Sequence, residues 1–218
     1  MTRFVASFLA ASFVTTVPFA PEARAIDAPT PANSASEILS AQPEELIRRL
    51  NEKKVVILQE VRERGALSGG LILGYVIFSK PVDLVYRLLA ETSRQREYRP
   101  EVTSIETVRR DEFGPVDEHH LKILFRRFSY RLVYRLEPEM HRISWRLAED
   151  YENDLRAVEG FWELFPIDEE HTLGRFGTQV DVGPAVPGFL QDWITRKNVP
   201  RAMEQVRKWI DSDGSYRP

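Results

Sequence analysis

The chain of 218 residues contains no cysteine. That absence excludes disulfides, thiolate metal sites, a cysteine nucleophile and a lipid-modified N-terminal cysteine. Glycine is sparse, at 11 residues, and no glycine-rich loop carries a phosphate-binding lysine. Ser68-Gly69-Gly70 makes a turn and lacks the frame of a nucleophile elbow. An excess of positive charge is missing as well. Lys and Arg number 30 against 33 Asp and Glu, a net charge of −3, so bulk electrostatics give no attraction to nucleic acid. Arg126-Arg127 near Arg131 stands without the wider basic field that nucleic acid needs. No HExxH or two-histidine-one-carboxylate spacing occurs, so neither a metal nor another cofactor is expected. No internal repeat is present.

What the chain does have is an ordinary globular profile. Hydrophobic residues at 43% and charged residues at 29% suit one medium domain with appendages, and rule out a disordered tail or a multi-span membrane protein. The basic residues are 24 Arg and 6 Lys, which reads as a base-composition bias of the genome.

Arg3 precedes an apolar stretch from Phe4 to Ala20, broken by Pro18, and Ala23-Arg24-Ala25 follows as a small-x-small site. This is the pattern of a cleavable signal peptide over residues 1–25, cut after Ala25. The stretch is shorter than the roughly 20 apolar residues of a spanning helix. The expected location is therefore periplasmic or secreted. Ile26 to Gln42 reads as a flexible linker, from its prolines and small polar residues. An exported chain without cysteine must rely on its core, and the remaining length is enough to build one.

Pro43 to Lys53 reads as a short N-terminal helix, with Pro43 at the first turn and Leu46, Ile47 and Leu50 at helical spacing. Val55 to Arg62 and Leu71 to Ser79 read as two strands of a hairpin, with a glycine-rich turn at Gly65 to Gly70. Pro81 opens a helix whose apolar face is Val82, Val85, Leu88 and Leu89, and which stops before Pro100. A six-strand meander follows: Val102–Arg109, His119–Arg127, Ser129–Glu137, Arg142–Ala148, Leu155–Pro166 and Thr172–Val182. Asp111 to Asp117 holds a Gly114-Pro115 turn, and the other links are short and polar. The last element is a long helix from about Val186 to Asp211, with a kink expected at Pro200.

Period-two alternation assigns faces. Tyr130, Leu132, Tyr134 and Leu136 share one face and Arg131 and Arg135 the other. Ile143, Trp145 and Leu147 oppose Ser144 and Arg146; Val158, Gly160, Trp162 and Leu164 oppose Glu159 and Glu163; Phe176, Thr178 and Val180 oppose Arg175, Gln179 and Asp181. That is an antiparallel sheet with one solvated side, covered on the other by the last helix. Small Gly160 and Thr178 beside large aromatics leave two readings open: a shaped hollow between sheet and helix, or a filled core.

The chain resembles the START-like, helix-grip (SRPBCC) superfamily, with its birch-pollen-allergen, polyketide cyclase/dehydrase and coenzyme-Q-binding branches. The segments that carry the resemblance are Ile77-Phe78-Ser79-Lys80-Pro81-Val82-Asp83-Leu84-Val85-Tyr86, Tyr98-Arg99-Pro100-Glu101-Val102, Ile143-Ser144-Trp145-Arg146-Leu147, Gly160-Phe161-Trp162-Glu163-Leu164-Phe165-Pro166, and Thr172-Leu173 through Val182-Gly183-Pro184-Ala185-Val186-Pro187. The resemblance covers roughly Val55 to Asp211 and implies an α+β helix-grip fold over residues 54–218: a curved antiparallel β-sheet wrapped around a long C-terminal α-helix. It also implies a hollow for an apolar molecule such as a lipid, sterol, quinone or polyketide.

The inward positions carry few polar groups. Tyr130 and Tyr134 could orient a ligand carbonyl or hydroxyl, or bond to backbone at the sheet rim. Glu118-His119-His120 contains metal-ligand residue types, but adjacent histidines in a strand point to opposite faces, and the stretch reads as a strand start near the surface. His141 and His171 fall in turns. Glu149, Asp150, Glu152 and Asp154 share a hairpin that reads as solvated, so no raised carboxyl pKa is expected there. Arg94, Arg96 and Arg99 with Glu97 lie between helix and strand, either as a salt-bridged surface or facing a polar head group.

The expected function is an exported protein that holds a hydrophobic small molecule and shuttles it, with transient membrane contact. The expected lining is Phe125, Tyr130, Tyr134, Trp145, Trp162, Phe176, Phe189 and Trp193. Arg99–Glu101 and Gly183–Gly188 would act as gates. The alternatives are a cyclase- or hydrolase-type enzyme, for which no catalytic residue stands out, and a protein-interaction module with a filled hollow.

Overall fold

A computed structural model describes residues 34–60, 71–183 and 197–218. The expected signal segment, the Gly65–Gly70 turn and most of the Val186-to-Asn198 stretch lie outside the described residues. Two short helices come first, α1 (Ala35–Ser40) and α2 (Glu44–Asn51). Strand β1 (Val56–Glu60) pairs with β2 (Leu71–Phe78), with Val56 opposite Tyr75 and Glu60 opposite Leu71. Helix α3 (Val82–Ala90) follows and runs into a 3₁₀ turn, Thr92–Glu97. The meander is β3 (Val102–Asp111), β4 (Gly114–Ile123), β5 (Arg126–Glu137), β6 (Arg142–Leu147), β7 (Ala157–Pro166) and β8 (Thr172–Asp181). Helix α4 (Val199–Asp211) closes the chain. Among the described residues eight strands form one sheet in the order β1-β2-β8-β7-β6-β5-β4-β3, every pairing antiparallel. Among the described residues no helix is long and apolar enough to cross a membrane.

The inner face of this sheet and helix α4 enclose the main core. Met203 of α4 lies directly on Gly74 of β2, where a Cβ would collide with its thioether, so the glycine sets how close the helix comes. Trp209, fully buried, packs at a tilt against Tyr98, with ring centroids 4.9 Å apart, and donates its indole N–H to Glu97 at 3.1 Å. The Ser79 N–H donates to Asp211 at 2.8 Å. These contacts fasten the C-terminal half of α4 to the 3₁₀ turn and the end of β2. Pro200 sits in the first turn of α4, and Lys197 and Asn198 just before it are π-helical, at the place where the sequence puts a kink.

Three sequence expectations need correction. First, the expected flexible linker over residues 26–42 contains α1. A Ser34 side-chain oxygen accepts from the Glu37 N–H at 3.2 Å, and Ala35 and Ile38 are buried. The helix is only 6 residues long and gains its stability from packing, not from propensity. Second, the sheet is not solvated along the whole of its other face. Ala35, Ile38, Leu46 and Leu50 pack with Val56, Tyr75 and Leu173, so α1 and α2 cover the outer side of β1, β2 and β8. Phe161, fully buried, joins Leu71 and Leu73 on that side. The Glu163 carboxylate is buried there too, and accepts from the Arg175 Nε at 2.7 Å.

Third, the turns fall elsewhere. Gly114 and Pro115 are paired residues of β4, opposite Asp111 and Arg110, and the turn is Glu112–Phe113. The expected strand His119–Arg127 is broken by a second tight turn at Leu124–Phe125. Leu124 takes the left-handed conformation, with φ of 56°, that such a link requires. A leucine there gives the sequence no turn signal.

Candidate functional site

Between the sheet and α4 lies a cavity of about 170 Å³. A buried water needs only about 10–15 Å³ on such a scale, so this space is far larger than a hydrated packing defect. Strand alternation builds its wall. Tyr130 and Tyr134 on β5, Trp145 on β6, Trp162 on β7 and Phe176 on β8 all line it. Register brings them into one band: Tyr134 is opposite Trp145, Trp145 opposite Gly160, and Trp162 opposite Phe176. Ring centroids lie 6.3 Å apart for Tyr134–Trp145, 5.9 Å for Trp145–Phe176 and 5.0 Å for Trp162–Phe176. Gly160 allows this band, because Trp145 lies across it and a Cβ would run into the indole. Helix α4 supplies the facing wall through Val199, Met203 and Val206.

Of the eight expected lining residues, five are therefore on the cavity wall. Phe125 is not. It occupies the tight turn after β4 and is 75% exposed, because the strand ends at Ile123 and the turn throws its side chain outward. Phe189 and Trp193 lie outside the described residues, as does the expected gate beyond Gly183.

One side of the cavity is polar, and here the structure departs from the sequence reading. His119 is not at a surface strand start; it is fully buried and inward, on the same face as Leu121 and Ile123. Its cross-strand partner is Tyr130, and the two rings stack with centroids 5.3 Å apart and planes 3° from parallel. Burial pushes its pKa down to about 3, helped by the Arg99 guanidinium, so the imidazole is neutral at physiological pH. His119 Nε2 is 3.3 Å from the Tyr134 hydroxyl, and its Nδ1 has no hydrogen-bond partner among the described residues. Two positions earlier on the same face, Asp117 is also fully buried. It accepts from the hydroxyls of Thr92 and of Thr107, the latter at 2.7 Å.

Gln95 and Arg99 reach the same corner from the 3₁₀ turn and the segment after it. The Gln95 amide N–H donates to Tyr134 at 3.2 Å, and its carbonyl accepts from Arg99 at 3.2 Å. The Arg99 Nε donates to Glu101 at 3.1 Å. Burial disfavours both charges of that pair, but each holds the other ionised: the Arg99 pKa is raised and the Glu101 pKa lowered. Asn198, at the start of α4, also bonds to Glu101. Burial pushes the Tyr130 pKa up and the Tyr134 pKa well up, so both stay protonated as phenols.

The other candidate groups are surface structure. Arg94 pairs with Glu97 at 2.9 Å and lies over Trp209. His141 Nε2 pairs with Asp83 at 2.9 Å and His171 with Asp168 at 2.9 Å. Asp150 pairs with Arg109 at 2.7 Å, a hydrogen bond that lowers its pKa, and Asp154 accepts from the Ser129 N–H at 2.6 Å. Among the described residues no three His, Asp or Glu side chains converge as metal ligands. Asp117 and His119 were readable in principle from the Leu121 and Ile123 parity, which places both inside.

Solved structures share this architecture. A START superfamily protein from Mycobacterium smegmatis superposes with a TM-score of 0.56 at 13% identity, over 65% of this chain and 97% of its own. A STAR-related lipid transfer protein from Xanthomonas axonopodis gives 0.56 at 16% identity, over 72% of this chain and 94% of that fragment. The ZhuI aromatase/cyclase from Streptomyces sp. R1128 gives 0.52 at 16% identity, over 71% and 93%. No protein-family profile and no curated protein sequence matches the chain. The chain has the START-like, helix-grip (SRPBCC) fold: one curved eight-stranded antiparallel sheet closed by a C-terminal helix.

Proposed function

We propose that this protein is a carrier that holds a hydrophobic small molecule (a lipid, an isoprenoid or quinone, or a sterol-like compound) in the cavity between sheet and α4. The observation that carries the reading is the cavity itself, about 170 Å³ walled by Tyr134, Trp145, Trp162, Phe176 and the apolar side of α4. Each Å² of apolar ligand surface buried there would contribute about 25 cal/mol, and an apolar wall with a few convergent polar groups is the usual make-up of a small-molecule site. The fold shared with the STAR-related lipid transfer protein supports the same reading.

Export and shuttling belong to this proposal. The signal-like residues 1–25 would deliver the chain beyond the cytoplasm, where an apolar cargo needs shielding to cross water. A turn beside the cavity supports the membrane contact that shuttling would need. Ile123 and Phe128 line the cavity, and the turn between them exposes Leu124 and Phe125, 52% and 75% accessible, among Lys122, Arg126 and Arg127. Apolar tips flanked by basic residues suit an anionic lipid surface.

A cyclase-type reading has the shared fold of the aromatase/cyclase and the polar corner behind it. It is the weaker one, since a general base works best with a pKa near ambient pH and burial holds His119 at about 3. The test is native mass spectrometry of the protein purified gently from its own host, with organic extraction of what it holds. A stoichiometric apolar species is expected. Protein that is empty, and stays empty after incubation with total membrane lipid, would overturn the carrier reading.

A further inference from the structure

The heavy-atom positions fix most of the donor and acceptor roles in the polar corner. Arg99 only donates, so the Gln95 oxygen faces it and the Gln95 amide N–H faces Tyr134. The Tyr134 oxygen therefore accepts one bond from Gln95. Two arrangements remain for its contact with His119. Either Tyr134 donates to Nε2 and the imidazole proton sits on Nδ1, or Nε2–H donates to Tyr134. Burial keeps the ring neutral, so it carries only one N–H. In the first arrangement that N–H is sealed at Nδ1, which is buried and has no acceptor among the described residues. Buried N–H groups without acceptors are rarer than buried acceptors without donors. In the second, Nδ1 keeps only a lone pair, Tyr134 accepts from Gln95 and His119 together, and its own O–H proton turns away from both. Tyr134 lines the cavity.

We propose that the Tyr134 hydroxyl, held by Gln95 and His119, is a fixed hydrogen-bond donor aimed into the cavity, and that the ligand carries an acceptor oxygen of the carbonyl type (a ketone, quinone or ester) which meets it. The inference rests on the carrier reading and narrows its ligand class. His119 is a positioning residue: it touches no ligand, and its neutral Nε2–H decides which way the Tyr134 proton points. An alcohol is not required, because a site with a fixed donor asks only for a lone pair. An aliphatic chain without oxygen would leave that donor unmet in an apolar wall, which carries a penalty.

The test uses two probes that differ by one carbonyl oxygen in place of two hydrogens, 2-acetylnaphthalene and 2-ethylnaphthalene, on the purified protein. Binding is followed by the probes' fluorescence, and the carbonyl of a ¹³C-labelled ketone by difference infrared spectroscopy. In the wild type the bound carbonyl band should move to lower wavenumber, as a hydrogen-bonded ketone does. Tyr134→Phe should return the band to its apolar position and weaken the ketone about fivefold, with the ethyl probe unchanged. His119→Phe keeps a ring against Tyr130 and removes Nε2–H; it should weaken or broaden the shifted band, a readout that loss of packing alone does not move. Circular dichroism confirms that each variant is folded. Two bound probes with an unshifted band, or a shift that survives Tyr134→Phe, would overturn this inference and leave the carrier reading standing. Binding of neither probe would count against the carrier reading itself.

Discussion

Trp145 lies across Gly160, its cross-strand partner, so closely that no side-chain carbon fits between the indole and the β7 backbone. A Cβ at position 160 would also meet the Gly177 carbonyl, 2.7 Å away on β8. The cavity wall thus depends on a residue with no side chain. Gly160→Ala should displace the indole and cost about 1–3 kcal/mol, the usual range for overpacking. Urea unfolding measures the loss. An unchanged midpoint would show that Trp145 yields without strain.

Val206 of α4 faces the cavity from the helix side and is buried. Val206→Phe should fill part of the space and lower the affinity for 2-ethylnaphthalene by at least tenfold, while the protein stays folded. If the variant bound the probe as the wild type does, the binding site would lie elsewhere.

The Leu124–Phe125 turn and the cavity should separate cleanly. Fully burying a phenylalanine contributes about 1.5–3 kcal/mol, so Phe125→Asp should reduce co-sedimentation with phosphatidylglycerol vesicles by about tenfold or more. Wild-type binding to uncharged phosphatidylcholine vesicles should be weak, since Lys122 and Arg127 would find no anionic partner there. Probe binding in the cavity should not change. Equal sedimentation of wild type and variant would remove the turn as a membrane contact.

His119 makes stability depend on pH in a defined window. Its folded pKa, about 3, is below the ordinary value of 6.5. Between those values the unfolded chain binds the extra proton and the native protein does not. Stability is therefore fully present above about pH 6.5 and is lost as pH falls toward 3, with a limiting slope of about 1.4 kcal/mol per pH unit. Denaturant midpoints measured from pH 4 to 8 should fall on the acid side, and His119→Phe should flatten that part of the curve. Parallel curves for the two proteins would mean that His119 gains a proton without unfolding.

The aromatic wall was readable because a strand's period of two is strict: once Tyr130 points inward, Leu132 and Tyr134 must follow, and Trp145, Trp162 and Phe176 obey the same parity. Phe125 shows where that rule stops. Parity holds only while the strand continues, and a two-residue turn made of Leu124 and Phe125 carries none of the glycine, proline or asparagine that marks a break. The polar corner escaped for another reason. Asp117 and His119 look like surface residues, and burying them is tolerable only with partners from distant segments. Thr92 and Gln95 come from the turn after α3, and Thr107 from β3. Nothing local in the sequence announces those partners. Helix α1 was hidden likewise, since its stability comes from packing on Tyr75 and Leu173 rather than from its own residues.

The N-terminal helices have a practical consequence. They sit on the back of the sheet, whereas the cavity opens between its front and α4. Ser34, at the start of α1, thus lies on the side of the sheet facing away from the cavity. A tether or a solid support attached at Ser34 would leave the cavity unobstructed, so the proposed exchange of a ligand could be followed on immobilised protein.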